Sequence, residues 1–334
     1  MSAEQKIAVI GAGAWGTALA IQLARNGNKT QLWGRDPNQI EHMASTRHNS
    51  RYLPDAPFPE ELDVTSDLAT VVTQHRDLLL VVPSHTFRSV LGQIRPHLSQ
   101  ESRIIWATKG LEVESGQFLH QVVAEELGED IPAALVSGPS FATELGKGLP
   151  TAMTAASHQS DFLPDVVRYF HGKNLRMYTS EDVVGVELGG AVKNVLAIAA
   201  GISDGLGFGA NARAALITRG LAELMRLGVV LGARRETLMG LSGVGDLVLT
   251  CTDDQSRNRR LGLALGQGKT LEVASAEIGQ ALEGVKTASV IHQVAKEADV
   301  EMPISNDVHR ILHKGLSPRA AVAELLSREL KNEF

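Results

Sequence analysis

The feature that most constrains the fold is a glycine-rich turn near the start of the chain. Residues 6–10 favour a strand and run directly into Gly11-x-Gly13-x-x-Gly16, after which residues 17–24 favour a helix. In such a turn Gly11 makes the tight bend, Gly13 lets the backbone approach a phosphate, and Gly16 lets the helix pack closely on the strand. The turn and the helix N-terminus can together hold a pyrophosphate. The pattern therefore predicts a dinucleotide-binding βαβ unit.

The end of the second predicted strand bears on which dinucleotide is held. Residues 29–33 form this strand, and the sequence continues Gly34-Arg35-Asp36-Pro37. An acid at this position usually binds the adenosine ribose of NAD(H), whereas a cation can pair with the 2′-phosphate of NADP(H). Arg35 favours NADP(H), with a solvated surface arginine as the alternative, and Asp36 before a proline suits a helix N-cap. The sequence leaves both NAD(H) and NADP(H) open.

Three later apolar runs have the composition of strands that are buried on both faces of a parallel sheet. These runs cover residues 77–82, 103–107 and 133–136, with helical patterns between them at 86–98 and 117–127. In such a sheet the ligand lies beyond the carboxyl ends of the strands. Lys109 and Ser140 follow two of the runs, so we expect them in the same crevice as the glycine turn.

The chain is predicted to contain two domains of different class. The first is an α/β Rossmann-type dinucleotide-binding domain over residues 1–180, in which 37–66 is expected to be a helix followed by an irregular loop. The second is an all-α substrate domain over residues 181–334, because helical periods dominate there. Strands close the first domain at 151–155 and 175–178, and helices are expected at 187–201, 210–231, 256–266, 284–298, 303–313 and 317–327.

The clearest chemical signal in the second half is a lysine inside an apolar helix. Residues 187–201 are small and apolar nearly all round, which predicts a central, buried helix with Lys193 in its middle. Burying an ammonium group is costly, so such a lysine usually has a partner or a task, and proton transfer is one such task. The alternatives are a lysine that reaches solvent and a structural ion pair. Gly189 and Gly190, one turn earlier, indicate that another segment packs closely there.

A second signal combines a glycine-flanked acid with a basic cluster. Asp246 could orient Lys193 or balance its charge. Ser256, Arg257 and Asn258 offer the donors that hold a phosphate at the start of a helix. Equally, Ser256 could be an N-cap only and the arginine part of a solvated face.

Composition and charge exclude several classes of protein. The net charge is −6 and no long basic run offsets it, which argues against a nucleic-acid binder. A single cysteine, Cys251, excludes an internal disulfide framework, fits a reducing cytoplasm and is expected to be a buried apolar residue. No charged-then-apolar leader precedes the first strand, and the apolar runs fall short of the ~20 residues that span a bilayer. We therefore expect a cytoplasmic protein without integral membrane contact, and the histidine spacing indicates no metal site.

The motifs of both halves together resemble one family. They are Gly11-x-Gly13-x-Trp15-Gly16-Thr17, Trp33-x-Arg35-Asp36, Tyr52-Leu53-Pro54, Lys109-Gly110, Ser137-Gly138-Pro139-Ser140-Phe141-Ala142, Lys193-Asn194, Gly243-x-Gly245-Asp246-Leu247, Ser256-Arg257-Asn258 and Glu283-Gly284. In this order they make the chain similar, nearly end to end, to the bacterial NAD(P)-dependent sn-glycerol-3-phosphate dehydrogenases. The resemblance implies a 6-phosphogluconate-dehydrogenase-like fold, a homodimer, and reversible hydride transfer between the nicotinamide of NAD(H) or NADP(H) and C2 of dihydroxyacetone phosphate. The product, sn-glycerol 3-phosphate, would supply phospholipid synthesis.

The resemblance also implies a role for individual residues. Lys193 would donate the proton to the forming C2 alkoxide and act as the base in the reverse direction. The residues implied to contact the substrate are Lys109, Gly138, Ser140, Lys193, Asp246, Ser256, Arg257 and Asn258. Those implied to contact the dinucleotide are Gly11, Gly13, Ala14, Trp15, Gly16, Arg35, Lys109, Ala142, Arg257 and Glu283.

Two other functions remain open from the sequence. A β-hydroxyacid dehydrogenase of the 6-phosphogluconate type would share the two-domain plan and the lysine. The phosphate-binding group at residues 256–258 and Lys109 weigh against its carboxylate substrate. A catalytically silent NADP(H)-binding sensor is the other alternative, and it would not need Lys193 together with Asp246.

Overall fold

The protein is built from an α/β unit followed by a helical unit. A computed structural model describes residues 5–280 and 282–327. It divides into two compact units, Met1–Glu187 and Leu188–Phe334. The predicted succession of a Rossmann-type domain and an all-α domain is confirmed.

The first unit is organised around one large sheet. Its strands are β1 Lys6–Ile10, β2 Lys29–Trp33, β3 His48–Asn49, β4 Leu53–Pro57, β5 Leu62–Thr65, β6 Asp77–Leu80, β7 Arg103–Trp106, β8 Ala133–Ser137, β9 Thr151–Ala156 and β10 Leu175–Ser180. Eight of them form the sheet in the order β10-β9-β8-β7-β6-β1-β2-β5, while β3 and β4 pair separately. The segment β5-β2-β1-β6-β7-β8 has the strand order of a Rossmann fold, with its switch point between β1 and β6.

Helices cover both faces of this sheet. They are α1 Ala14–Arg25, α2 Pro37–Thr46, α3 Leu68–Gln74, α4 Phe87–Ile94, α5 Leu119–Leu127, α6 Ala142–Lys147 and α7 Leu163–Phe170. Successive strand residues belong to different core clusters, so that Ile7 and Val9 pack on one face and Ala8 and Ile10 on the other. Because β1, β6 and β7 are parallel, the turns after their carboxyl ends lie along one edge of the sheet.

Two features of the sheet differ from the sequence prediction. Strand β5 lies beside β2 within the segment 37–66, which was expected to end in an irregular loop. It has only four residues after a run of prolines, too few for the alternation of apolar residues to stand out. In addition, β9 runs antiparallel to β8, a direction that an apolar pattern does not encode.

The second unit is helical. Its helices are α8 Val183–Gly205, which spans the boundary between the units, α9 Ala210–Val230, α10 Arg235–Leu238, α11 Asp246–Thr252, α12 Arg257–Gly266, α13 Leu271–Ile278, α14 Glu283–Glu297, α15 Pro303–Lys314 and α16 Pro318–Leu326. One turn of π-helix, Leu241–Gly245, precedes α11. The sequence predicted the six long helices and missed α10, α11 and α13, which are short and flanked by glycine or polar residues.

Helix α8 is the central helix that the sequence predicted. Every residue from 185 to 203 is buried. By length and composition α8 could also cross a membrane, since its apolar 18-residue stretch has a mean hydropathy of 1.6. However, 94% of this stretch is buried inside the protein. Core helices commonly have this composition, so the helix is weak evidence for membrane insertion.

Three histidines stack where α14 meets α15. The rings of His292 and His309 are 4.3 Å apart and nearly parallel, and the ring of His313 lies 5.1 Å from that of His309 and is tilted by 40°. His309 is 8% exposed. Burial, followed by the nearby charges of His292, His313 and Lys314, lowers the pKa of His309 to about 4. The folded protein therefore resists protonation of this ring.

We expect this stack to make the protein less stable in acid. The unfolded chain binds a proton at His309 below about pH 6.5, and the folded chain only near pH 4. The free energy of unfolding should therefore fall as the pH is lowered from 6.5 to 4. His309→Gln should remove at least about 1 kcal/mol of this pH dependence, which amounts to a few degrees in Tm. Thermal unfolding followed by circular dichroism across the interval measures it. The exposed His85→Gln should keep the original slope, and an unchanged slope in His309→Gln contradicts the assignment.

Candidate active site

The glycine turn between β1 and α1 has the geometry that a pyrophosphate requires. Gly11 has a φ of 125°, and a side chain there would collide with the carbonyl of Val81. A side chain at Gly16 would collide with the carbonyl of Gly11. At Gly13, by contrast, the space where a side chain would begin is open to 4 Å among the described residues. α1 thus starts from a residue that cannot cap it with a side chain, and the turn fits a bound phosphate group.

A buried asparagine holds this turn by hydrogen bonds. The amide nitrogen of Asn49 donates to the carbonyl of Ala12 at 3.1 Å and to Oγ1 of Thr17 at 2.8 Å. Asn49 is fully buried, so these bonds replace those it would make with water. Sequence reasoning missed Asn49, because it lies in a short strand inside the segment expected to be irregular.

The turns after β7 and β8 meet the glycine turn at one place. Nε1 of Trp15 donates to the carbonyl of Ala107 at 3.2 Å, and Nζ of Lys109 lies 5.8 Å from the centre of the Trp15 ring. The same Nζ donates to the carbonyl of Gly138 at 3.0 Å, and so does Oγ of Ser140. Lys109 and Ser140 therefore lie close to the glycine turn, as the sequence predicted.

The end of β2 presents a cation. Arg35 is exposed, whereas Asp36 accepts hydrogen bonds from the backbone of Asn38 and Gln39 and so caps α2. The prediction that Asp36 is a helix cap is confirmed. Two residues after Ser140 in the sequence, Ala142 begins α6.

A buried lysine and a buried acid form an ion pair in the second unit. Nζ of Lys193 donates to Oδ1 of Asp246 at 2.5 Å. Lys193 is 7% exposed and Asp246 is fully buried. The two come close because α8 carries Gly189 against the π-helical turn, where any side chain would collide with the carbonyl of Ser242. The close packing expected at Gly189 is thus confirmed, and Lys193 is neither a solvated residue nor an unpaired charge.

Thr250 completes this centre and was missed by sequence reasoning. Its Oγ1 donates to the carbonyl of Asp246 at 2.6 Å and accepts from Lys193 at 3.1 Å. Thr250 lies four residues after Asp246 on α11, which places both on one face of the helix. Recognising α11 as a helix would have revealed it.

The next residue, Cys251, is fully buried. Burial raises the pKa of its thiol to about 12. The thiol therefore stays protonated at neutral pH, which agrees with the expectation of a buried apolar residue.

The start of α12 carries the predicted phosphate-binding group. Oγ of Ser256 accepts from the backbone N–H of Arg259 at 3.2 Å and caps the helix. Burial lowers the pKa of the Arg257 guanidinium, and the negative charge of Glu283 opposes that change. Arg257 and Glu283 therefore lie close enough to interact, and Ser256 acts as an N-cap as well as a candidate ligand.

Asn258 joins this group to its neighbours. Its amide nitrogen donates to Oδ1 of Asn194 at 3.0 Å, and its Oδ1 accepts from the backbone of Gly284 at 3.2 Å. Asn194 follows Lys193, and Gly284 follows Glu283. One side chain therefore connects three of the motifs that the sequence singled out in this unit.

The family follows from comparison with known proteins. Residues 6–163 match the model of the NAD-dependent glycerol-3-phosphate dehydrogenase N-terminus, and residues 182–323 match that of the C-terminus. The glycerol-3-phosphate dehydrogenase [NAD(P)+] of Thioalkalivibrio sulfidiphilus is 60% identical over 331 residues, which cover 99% of each chain.

Two solved structures have the same fold along nearly the whole chain. The crystal structure of glycerol-3-phosphate dehydrogenase from Coxiella burnetii matches with a TM-score of 0.94 and 51% identity, covering 97% of this chain and 99% of that one. The Saccharomyces cerevisiae enzyme matches with a TM-score of 0.83 and 28% identity over 97% and 99% of the two chains. The chain therefore belongs to the family of NAD-dependent glycerol-3-phosphate dehydrogenases.

Proposed function

We propose that the protein catalyses the reversible reduction of dihydroxyacetone phosphate at C2, giving sn-glycerol 3-phosphate. The observation that carries this proposal is the buried Lys193, which is bonded to both Asp246 and Thr250. A fixed, desolvated cation that can also give up a proton is what the reduction of a ketone needs. The glycine turn of the first unit suits a dinucleotide, and the start of α12 in the second unit suits a phosphate. These are the two kinds of ligand that the reaction needs.

The dinucleotide would be held mainly by the first unit. When bound, NADH or NADPH supplies the hydride that is added to C2. The turn at residues 11–16 would accept the pyrophosphate, and Arg35 would face the adenosine ribose, where a 2′-phosphate pairs with it. The full set that we assign to the dinucleotide is Gly11, Gly13, Ala14, Trp15, Gly16, Arg35, Lys109, Ala142, Arg257 and Glu283.

Lys193 would act on the oxygen at C2. Negative charge develops on this oxygen during reduction, and the ammonium of Lys193 would stabilise the charge and then donate the proton. Asp246 and Thr250 hold Nζ in one orientation, so the donor is aligned before the reaction begins. In the reverse direction the neutral amine accepts the proton from the C2 hydroxyl.

The phosphate of the substrate would be held at the start of α12. A dianion needs N–H donors and a cation, and this helix start offers both through its backbone and Arg257. Ser256 and Asn258 are held in place by their own bonds to Arg259, Asn194 and Gly284. The remaining residues that we assign to the substrate are Lys109, Gly138, Ser140 and Asp246.

The chemistry of the product and the single cysteine bear on the cellular setting of the enzyme. A phosphorylated glycerol is the backbone of glycerophospholipids, so we propose that the product supplies their synthesis. The single, buried cysteine fits a reducing cytoplasm. We also propose a homodimer, and light scattering coupled to size-exclusion chromatography measures the mass of the particle.

Initial rates test the proposed reaction directly. We expect oxidation of NADPH or NADH in the presence of dihydroxyacetone phosphate, and at most a trace of dinucleotide reduction with short β-hydroxyacids, because the helix start at residues 256–258 is built for a phosphate. The change in absorbance of the reduced nicotinamide measures both. Turnover of a β-hydroxyacid in preference to triose phosphate would replace the proposed substrate, and the absence of turnover with either would indicate a binding protein.

Removing the proposed proton donor should abolish turnover but not dinucleotide binding. Lys193→Ala is expected to lower kcat at least about 100-fold, since general-acid catalysis contributes that much or more. NADPH binding, measured by fluorescence titration, should be unchanged because the turn at residues 11–16 is untouched.

Two further variants control this experiment. Lys286→Ala removes an exposed lysine from α14 and should retain full activity. Because Lys193→Ala leaves the Asp246 carboxylate buried without this ion pair, Lys193→Ala combined with Asp246→Asn is measured as well. If kcat in both Lys193 variants stays close to that of the unmodified enzyme, the assignment of the proton donor is wrong.

Arg35 should affect NADPH far more than NADH. A hydrogen bond between charged groups contributes about 1.5–3 kcal/mol, so Arg35→Ala is expected to raise KM for NADPH about tenfold and leave KM for NADH within twofold. Steady-state kinetics with each dinucleotide measures the ratio. Arg95→Ala, which removes another exposed arginine of the first unit, should leave both constants unchanged. Equal effects on the two dinucleotides would rule out contact between Arg35 and the 2′-phosphate.

A further inference from the structure

One buried arginine connects three helices of the second unit. Arg259 lies in the first turn of α12 and is 7% exposed. Its Nη2 donates to Oδ2 of Asp204 at 2.6 Å, near the end of α8, and its Nε donates to the carbonyl of Cys251 at 3.2 Å, in α11. Its Nη1 pairs with Asp254, in the loop that leads into α12. A single guanidinium thus ties α12 to α8 and α11.

These are the helices that carry the proposed catalytic and substrate-binding groups. Lys193 belongs to α8, Asp246 and Thr250 to α11, and residues 256–258 to the start of α12. Arg259 also reaches the phosphate-binding group through its backbone, since its N–H donates to Oγ of Ser256. Any movement of Arg259 relative to α8 therefore shifts this helix start relative to Lys193.

Helices α8 and α12 pack closely beside Arg259. The two helices touch through their backbones, because a side chain at Gly201 would collide with the carbonyl of Arg259, and one at Gly262 with the carbonyl of Ile198. Glycine contacts bring helix backbones close together. The directional bonds of Arg259 to Asp204 and Cys251 add a polar connection at this contact, which can fix the position of α12 along α8.

The ion pair between Arg259 and Asp204 is buried and should persist in solution. Asp204 is 10% exposed at its side chain and also pairs with Arg213 of α9 at 2.9 Å. An ion pair this well buried is little screened by salt, and loss of one partner leaves a charge that water cannot easily solvate. The guanidinium is therefore held in one geometry.

We propose that Arg259 is a positioning residue for the substrate phosphate, which it places by fixing the start of α12 against α8. This inference rests on the proposed function, in which residues 256–258 hold that phosphate. Misplacement by about 1 Å is enough to weaken binding or catalysis strongly. Arg259 would thus control substrate affinity without contacting the substrate.

The test compares Arg259 with an exposed arginine elsewhere in the second unit. Arg259→Gln should raise KM for dihydroxyacetone phosphate about tenfold or more and lower kcat less than threefold, because the phosphate site moves while Lys193 keeps Asp246 and Thr250. Arg259→Lys should recover part of the loss, since an ammonium can pair with Asp204 but lacks the fork that also reaches Cys251. Arg319→Gln removes the same charge from an exposed position of α16 and should leave both constants unchanged.

Each result has one interpretation. A KM within twofold of the unmodified enzyme in Arg259→Gln overturns the proposal, and so does a fall in kcat at unchanged KM, which a purely structural role or a role at Lys193 would produce. If Arg259→Gln does not fold, Asp204→Asn removes the other side of the same bond while keeping its shape, and the same KM criterion applies. Failure of the proposed function is a different result, because the unmodified enzyme would then not reduce dihydroxyacetone phosphate.

A double variant tests whether Arg259 and Asp204 act through the bond between them. If Arg259 works through Asp204, Asp204→Asn combined with Arg259→Gln should raise KM little more than the larger of the two single changes. Multiplying effects would show that the two residues act separately and would overturn the proposed route.

Discussion

The ion pair between Lys193 and Asp246 is the interaction on which the second unit depends. Both groups are buried, and either charge alone would cost several kcal/mol in such surroundings. Helix α11 must therefore lie against α8 at the point where Asp246 reaches Nζ. Gly189 permits this approach, and Thr250 accepts a further hydrogen bond from the ammonium. Burial of the apolar side chains along α8 stabilises the fold and offsets the cost of burying this pair.

Such a pair contributes little to stability when compared with apolar side chains of the same volume. Its retention at the centre of an apolar helix is therefore better explained by chemistry than by folding. The arrangement holds a cation without exposing it to water, and water would otherwise compete for its proton and screen its charge. The helical unit thus places the buried pair of Lys193 and Asp246 within a largely apolar core.

The sequence predicted what depends on local pattern and missed what depends on distant partners. The turn at residues 11–16 is fixed by steric needs within a few residues, and Lys193 stands out against its own helix. Asn49 and Thr250 act on groups that only the fold brings near, and neither has a local pattern that marks it. Strand β5 is likewise defined by its pairing with β2 rather than by its four residues. The pairing of Lys193 with Asp246 was expected because two unusual residues each needed a partner.

The proposed recognition of anionic ligands depends on charges placed locally, because the net charge of the chain is −6. Three cations each have a neighbour that supports them: the ring of Trp15 for Lys109, Glu283 for Arg257, and Asp246 for Lys193. In the helical unit the supports are also connected, because Asn258 bonds Asn194, the residue after Lys193. In the proposed reaction, binding energy from the phosphate would align the reacting carbon with Lys193, which would raise the rate of the chemical step rather than only tighten binding.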